Sequence, residues 1–139
     1  MKKNVVSIWN KKPMDFLRII LGLLMLIHGL ARISLGIVDD FGLFFGSIGL
    51  PFGIVLAWVV TSLELLGSFL LFFNFQVKYV SIYFIVQLIM GIFLIHFNEG
   101  WFVVGAGRNG MEYSFLLICC FIFLLWNNIL DENKLVEDE

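Results

Sequence analysis

Charged residues are scarce in this sequence. Asp, Glu, Lys and Arg make up 14% of its 139 residues, whereas 60% are hydrophobic and sixteen are Phe. Soluble domains have roughly a quarter charged residues, and a soluble domain of the present composition could not cover its surface with polar groups. The composition therefore indicates a membrane protein. The net charge of −2 and the lack of a basic patch also argue against nucleic acid as a partner.

The sequence also has few side chains suited to metal or redox chemistry. Its two cysteines, Cys119 and Cys120, are adjacent, which disfavours a disulfide, and they form no C-x-x-C motif. Its two histidines, His28 and His96, lack the further ligands that a zinc site needs. They also lie at different depths in the predicted helices, which disfavours a shared haem. We expect neither a metal nor a haem.

Four apolar stretches are each long enough to cross a bilayer, which takes about 20 helical residues. They cover residues 14–34, 51–74, 79–97 and 112–130. Stretches this long and continuous do not suit the strands of a barrel, the other structure that satisfies its backbone within lipid. We predict an all-α, polytopic membrane protein, a four-transmembrane-helix bundle that forms a single domain over residues 1–139.

The distribution of Lys and Arg predicts the orientation. Four lysines precede the first span, and Lys78 and Lys134 fall on the same side, whereas the other side has Arg32 and Arg108. We expect both termini, including the acidic tail 131–139, on the cytoplasmic side of a bacterial inner (plasma) membrane. The first span has the lysine-rich start of a signal peptide, but its apolar core is too long and no convincing A-x-A site follows.

Residues 105–110 have the G-x-G-x-x-G spacing of a dinucleotide-binding turn. Such a turn lies between a strand and a helix, with an acidic residue about 20 positions further on. Asp131 has that spacing, but the intervening residues form the fourth span, which would place Asp131 across the membrane. We therefore do not expect NAD binding, and we interpret the glycines as a tight loop that presents Arg108 at the mouth of the bundle.

Polar and small residues share one face of each of the first two spans. On the first span this face carries Arg18, Gly22, Met25, His28, Gly29 and Arg32. On the second it carries Ala57, Thr61, Glu64, Gly67 and Ser68. Such residues favour close helix packing, so we expect both faces to point into the bundle. We predict a buried Arg18–Glu64 pair, either structural or functional, with an attraction of about 4 kcal/mol at an effective dielectric near 20.

Other ionisable groups lie towards the opposite, outer half of the predicted bundle. They occur near the end of the first span, at the end of the third, in the loop that follows and at the start of the fourth. Ionisable groups within a membrane are costly and often mark functional sites. The candidate ligand-binding residues are Arg18, His28, Arg32, Glu64, His96, Arg108, Glu112 and Tyr113; no catalytic residue is assigned.

Four segments, FLRIILGLLMLIHGLARI, SLELLGSFLLFF, MGIFLIHF and GMEYSFLL, together resemble the DoxX family of small four-helix integral membrane proteins. The matching positions are Arg18, residues 28–32 (H-G-x-x-[KR]), residues 49–51 (Gly-Leu-Pro), residues 64–67 (E-x-x-G), His96 and residues 110–113 (G-x-E-Y). The resemblance extends from about residue 16 to residue 126. Arg32 stands where Lys is more usual in the family, which keeps the charge but changes its geometry.

The resemblance implies a link to redox chemistry, since the family includes a subunit of thiosulfate:quinone oxidoreductase and proteins associated with oxidative-stress complexes. Our leading hypothesis is an accessory or quinone-binding subunit of a membrane redox complex. A quinone needs an apolar slot and donors for its carbonyls; Arg32, His28 or Tyr113 could donate, and Glu112 or Glu64 could pass protons. No self-contained catalytic motif is present, so catalysis would need a bound cofactor or a redox protein partner in the membrane or on its periplasmic side.

Two other functions remain open. In a non-catalytic scaffold or partner protein, the buried charges would only lock helices together and the outer loops would dock another protein. The aromatic and glycine-rich residues 41–53 suit such docking, and they equally suit packing against lipid. A small transporter has less support, because four spans are few and no inverted repeat or pair of broken helices is evident. A homo-oligomer is compatible with each function.

Overall fold

The computed structural model describes the backbone of residues 3–137 and the side chains of residues 13–131. Five α-helices occur in this range: α1 (Lys3–Ser34), α2 (Val38–Ser47), α3 (Gly53–Phe72), α4 (Val77–Gly91) and α5 (Glu112–Glu137). A π-helical segment, Ile92–His96, and a 3-10 turn, Phe97–Glu99, continue directly from α4. Residues 3–137 contain no strand, so the predicted all-α class is confirmed and the G-x-G-x-x-G turn has no sheet beside it.

Four helical stretches are long and apolar enough to cross a membrane. They are Pro13–Ser34, Gly53–Phe72, Val77–Glu99 and Glu112–Asp131. Their bounds lie close to the predicted ones, which confirms an integral membrane protein in a lipid bilayer. The inward-facing termini and the bacterial inner membrane stay predictions.

The chain divides into two compact units. The first, Ile19–Phe75, contains α2, α3 and most of the first membrane span; we call it the α1–α3 unit. The second combines Met1–Arg18 with Gln76–Glu139 and contains α4 and α5; we call it the α4–α5 unit. Each unit contains one group of the ionisable residues on which the functional interpretation depends.

Helices α1 and α3 pack closely and run antiparallel within the α1–α3 unit. A Cβ atom on Gly22 would lie 3.3 Å from the Leu71 Cβ, and one on Gly29 would lie 2.9 Å from a Leu65 methyl group. Small residues at these positions therefore set the approach of the two helices. The predicted inward face of α3 is confirmed, since its buried residues are Ala57, Thr61, Glu64, Gly67, Ser68 and Leu71.

Helix α2 was not predicted, because ten residues rich in Phe and Gly show no pattern typical of a span. Glycines with positive φ precede and follow it, Gly36 at 69° and Gly49 at 84°, and allow the chain to reverse there. Its buried residues pack against α3. Gly42 and Gly53 approach each other so closely that a Cβ on Gly53 would overlap the Gly42 carbonyl oxygen. Residues 41–53 thus pack within the chain as well as facing outward.

Helices α4 and α5 meet through an aromatic pair. The rings of Phe84 and Phe121 stack with centroids 5.1 Å apart, and both side chains are fully buried. Beyond Gly91 the π-helical segment changes the rotation per residue, so the direction of His96 departs from the one expected for a continuous α-helix. This segment ends the third span and leads into the loop before α5.

The loop between the third and fourth spans returns tightly, as predicted from its glycines. Backbone N–H groups of Gly110, Met111 and Glu112 donate to the carbonyls of Phe102, Gly100 and Trp101, at 3.2, 3.1 and 3.0 Å. A Cβ on Gly110 would overlap the backbone at Trp101 and Phe102. The base of the loop is therefore closed by backbone pairing that only glycine permits at this position.

Candidate functional site

A buried ion pair joins α1 to α3. The Nη1 atom of Arg32 donates to Glu64 Oε2 and to Thr61 Oγ1, each at 3.0 Å. The Glu64 side chain is fully buried, and the Arg32 side chain is 10% exposed. Thr61 Oγ1 in turn donates to the Ala57 carbonyl oxygen at 2.8 Å, so toward Arg32 it acts only as an acceptor. This arrangement, which we call the Arg32 cluster, consists of Arg32, Thr61 and Glu64.

The helix packing explains why these three residues meet. A Cβ on Gly29 would lie 3.8 Å from Glu64 Cδ, so Gly29 opens the space in which the carboxylate lies. Arg32 follows Gly29 by about one turn, and Thr61 precedes Glu64 by about one turn. Because the helices are antiparallel, one turn forward along α1, from Gly29 to Arg32, corresponds to one turn back along α3, from Glu64 to Thr61. The guanidinium therefore reaches both acceptors.

The guanidinium of Arg32 keeps N–H donors that the described residues do not use. Arg has five N–H donors, and the two on Nη1 go to Thr61 and Glu64. Among the residues that the structure describes, the N–H groups on Nε and Nη2 have no acceptor. The ring centroid of Phe41 lies 4.8 Å from Arg32 Cζ and gives a cation–π contact, which satisfies no N–H group.

Because these N–H groups have no acceptor among the described residues, this edge of Arg32 is suited to an oxygen of a ligand. The Nε and Nη2 hydrogens form a fork that one oxygen, or two adjacent oxygens, can accept. Glu64 already balances the charge of Arg32, so a bound anion would add an unbalanced charge within a membrane span. A neutral carbonyl oxygen adds none, and the cluster therefore suits a neutral carbonyl compound best.

The sequence analysis did not predict the pairing of Glu64 with Arg32. It expected Glu64 to meet Arg18, whose Nη2 donates to Asp15 Oδ1 at 3.1 Å. Arg18 and Glu64 belong to different units, and their pairing stays a prediction. The sequence did contain a signal for the Arg32–Glu64 pairing. Gly29 and Arg32 in α1 have the same spacing of three residues as Thr61 and Glu64 in α3.

Two further candidates, His96 and Glu112, lie at the base of the loop in the α4–α5 unit. His96 Nδ1 lies 2.7 Å from the Asn109 carbonyl oxygen. A carbonyl oxygen only accepts, so Nδ1 carries the hydrogen. Glu112 Oε1 accepts the Val103 N–H at 2.9 Å. Both side chains thus hold loop backbone in place, a role that the sequence did not indicate.

The remaining candidates are more exposed than a common pocket would require. His28 is exposed although it was predicted on the inward face of α1, and Arg108 and Tyr113 are also exposed. The ligand-binding roles of all eight candidates stay predictions. Cys119 and Cys120 are free thiols. Within the described side chains, no group of three or more His, Cys, Asp or Glu residues could hold a metal ion.

Comparisons with known proteins found one matching family and a similar curated protein. The DoxX family model matches residues 14–97, a range that includes the cluster and His96 but ends before Glu112. A Bacillus subtilis (strain 168) protein named "Putative oxidoreductase CatD" is 32% identical over 108 residues, which are 78% of this chain and 73% of that protein. No solved structure matches the chain.

Proposed function

The chain belongs to the DoxX family, and we propose that it binds a quinone as an accessory subunit of a membrane redox complex. One observation carries this proposal: the Arg32 side chain, nine-tenths buried and charge-balanced by Glu64, keeps N–H donors for a neutral acceptor. The name of the Bacillus subtilis relative, "Putative oxidoreductase CatD", also supports a link to redox chemistry.

The Arg32 cluster would bind one quinone carbonyl. The Nε and Nη2 groups of Arg32 would donate to the oxygen, and the adjacent Phe41 would limit how the flat ring can lie. A hydrogen bond to a charged group contributes about 1.5–3 kcal/mol. Donation from a cation also polarises the carbonyl and favours electron uptake. The electrons would come from a redox protein partner.

Arg32→Lys tests the proposal with little change to the ion pair. Lysine keeps the positive charge, but its three donors would go to Thr61 and Glu64 first, and no fork remains for a ligand. We expect wild-type protein purified in mild detergent to retain a quinone, and the variant to bind it about tenfold more weakly. Solvent extraction with mass spectrometry measures retention, and titration of added quinone measures affinity.

Ser62→Ala is the matched control, because Ser62 is exposed on α3 next to Thr61. It should bind quinone as the wild type does. Thermal unfolding of both variants separates lost binding from lost folding. If folded wild-type protein yields no quinone and binds none when titrated, the proposal is wrong. A stoichiometric protein found in the same preparation would then favour the scaffold function.

A further inference from the structure

The loop between the third and fourth spans contains a second candidate site. It lies at a membrane boundary, because Val77–Glu99 precedes it and Glu112–Asp131 follows it. An open depression of about 570 Å³ lies at its tip. It is lined by Val103, Val104, Gly105, Ala106, Gly107 and Arg108. The Arg32 cluster uses none of these residues.

The tip of this loop presents unused donors. The Val103 N–H donates to Glu112, but among the described residues the backbone N–H groups of residues 104–109 have no acceptor. Gly105 and Asn109 have positive φ angles of 86° and 57°, which bend the backbone between them. Successive N–H groups in such turns form concavities that bind anions.

Arg108 adds a full positive charge to these donors. Its side chain is exposed and has no ion pair or hydrogen bond within the described part of the chain. The acidic groups nearest in sequence are Glu99, which is exposed, and Glu112, whose Oε1 is engaged by Val103. The loop tip is therefore complementary to an anion that several N–H groups can surround.

The apolar side chains of the loop indicate where that anion comes from. Trp101 and Phe102 are each 47% exposed, and Val104 is 79% exposed. Aromatic residues at a membrane boundary lie at headgroup depth, where phospholipid phosphates are concentrated. We propose that residues 101–108 bind the phosphate of an anionic phospholipid. The G-x-G-x-x-G segment would then hold a phosphate without the sheet that a dinucleotide site requires.

Lipid competition on the full chain in detergent tests this proposal. The protein is offered equal amounts of phosphatidylglycerol and phosphatidylcholine, and native mass spectrometry measures which lipid stays bound. We expect a preference for phosphatidylglycerol that falls about fivefold in Arg108→Gln, the effect of one basic residue at a membrane surface. Arg108→Lys should keep the preference, and Glu99→Gln should increase it because a negative charge at the base of the loop is removed.

Lys78→Gln is the matched control, since it removes one positive charge at the start of α4, at the other end of the third span. An equal loss of preference in this variant would attribute the effect to net charge and overturn the proposal.

Inorganic phosphate at millimolar concentration should not displace the lipid. Displacement would assign the site to free phosphate and overturn the lipid source. Arg32→Lys should keep the wild-type preference for phosphatidylglycerol, so failure of this site is distinguishable from failure of the Arg32 cluster.

Discussion

The two units use their ionisable residues differently. In the α1–α3 unit, Arg32 and Glu64 bond side chain to side chain between two helices that are far apart in sequence. In the α4–α5 unit, His96 and Glu112 bond to the backbone of a nearby loop. The first arrangement leaves part of a guanidinium available for a ligand, whereas the second positions a loop. Similar residue types near helix ends can therefore join two helices or hold a loop, depending on the partner that packing supplies.

Among the variants that test this comparison, Arg32→Ala should lower the free energy of unfolding most. It leaves the fully buried Glu64 without the partner that balances its charge, and breaking a buried pair in this way costs about 3–5 kcal/mol. Unfolding in mixed detergent micelles measures the loss. The double variant Arg32→Met with Glu64→Leu should recover much of the stability, because it removes both charges. If the single variant unfolds like the wild type, the pair is not buried as described.

Gly53→Ala should have an intermediate effect, confined to the α1–α3 unit. The added methyl would overlap the Gly42 carbonyl oxygen, so α2 must shift away from α3 at a cost of about 1–3 kcal/mol. Gly46→Ala is the matched control in the same unit, since a Cβ there meets nothing within 4 Å. Equal stability of the two variants would show that α2 does not pack on α3 through Gly42.

His96→Ala should have the smallest effect on global stability, about 1 kcal/mol, because it removes one hydrogen bond at a loop. Its effect should instead be local, as faster amide hydrogen exchange in residues 100–111 with little change in α1 or α3. Glu112→Gln keeps a side-chain oxygen acceptor and should change exchange less. Faster exchange in α3 of the His96 variant would contradict the division between helix-pairing and loop-holding roles.

Much of the fold was predictable because it depends on composition and periodicity. The four spans follow from long apolar stretches, and the buried face of α3 follows from the spacing of Ala57, Thr61, Glu64 and Ser68. Helix α2 was missed because it is short and its burial depends on contact with Gly53 and Ile54. The contact of His96 with the loop was not predicted, because a π-helical segment leaves the α-helical period without an evident sequence signal.

The sequence by itself determined the all-α class of the protein, its membrane environment and the buried face of α3. These properties depend on the free energy of transferring each side chain between water and lipid, which is local to the residue. Only the tertiary structure decided that Glu64 meets Arg32 and that His96 holds Asn109. The first pairing depends on the offset between α1 and α3, which the close approach at Gly22 and Gly29 sets and which no single residue specifies. The second depends on the π-helical segment that ends at His96.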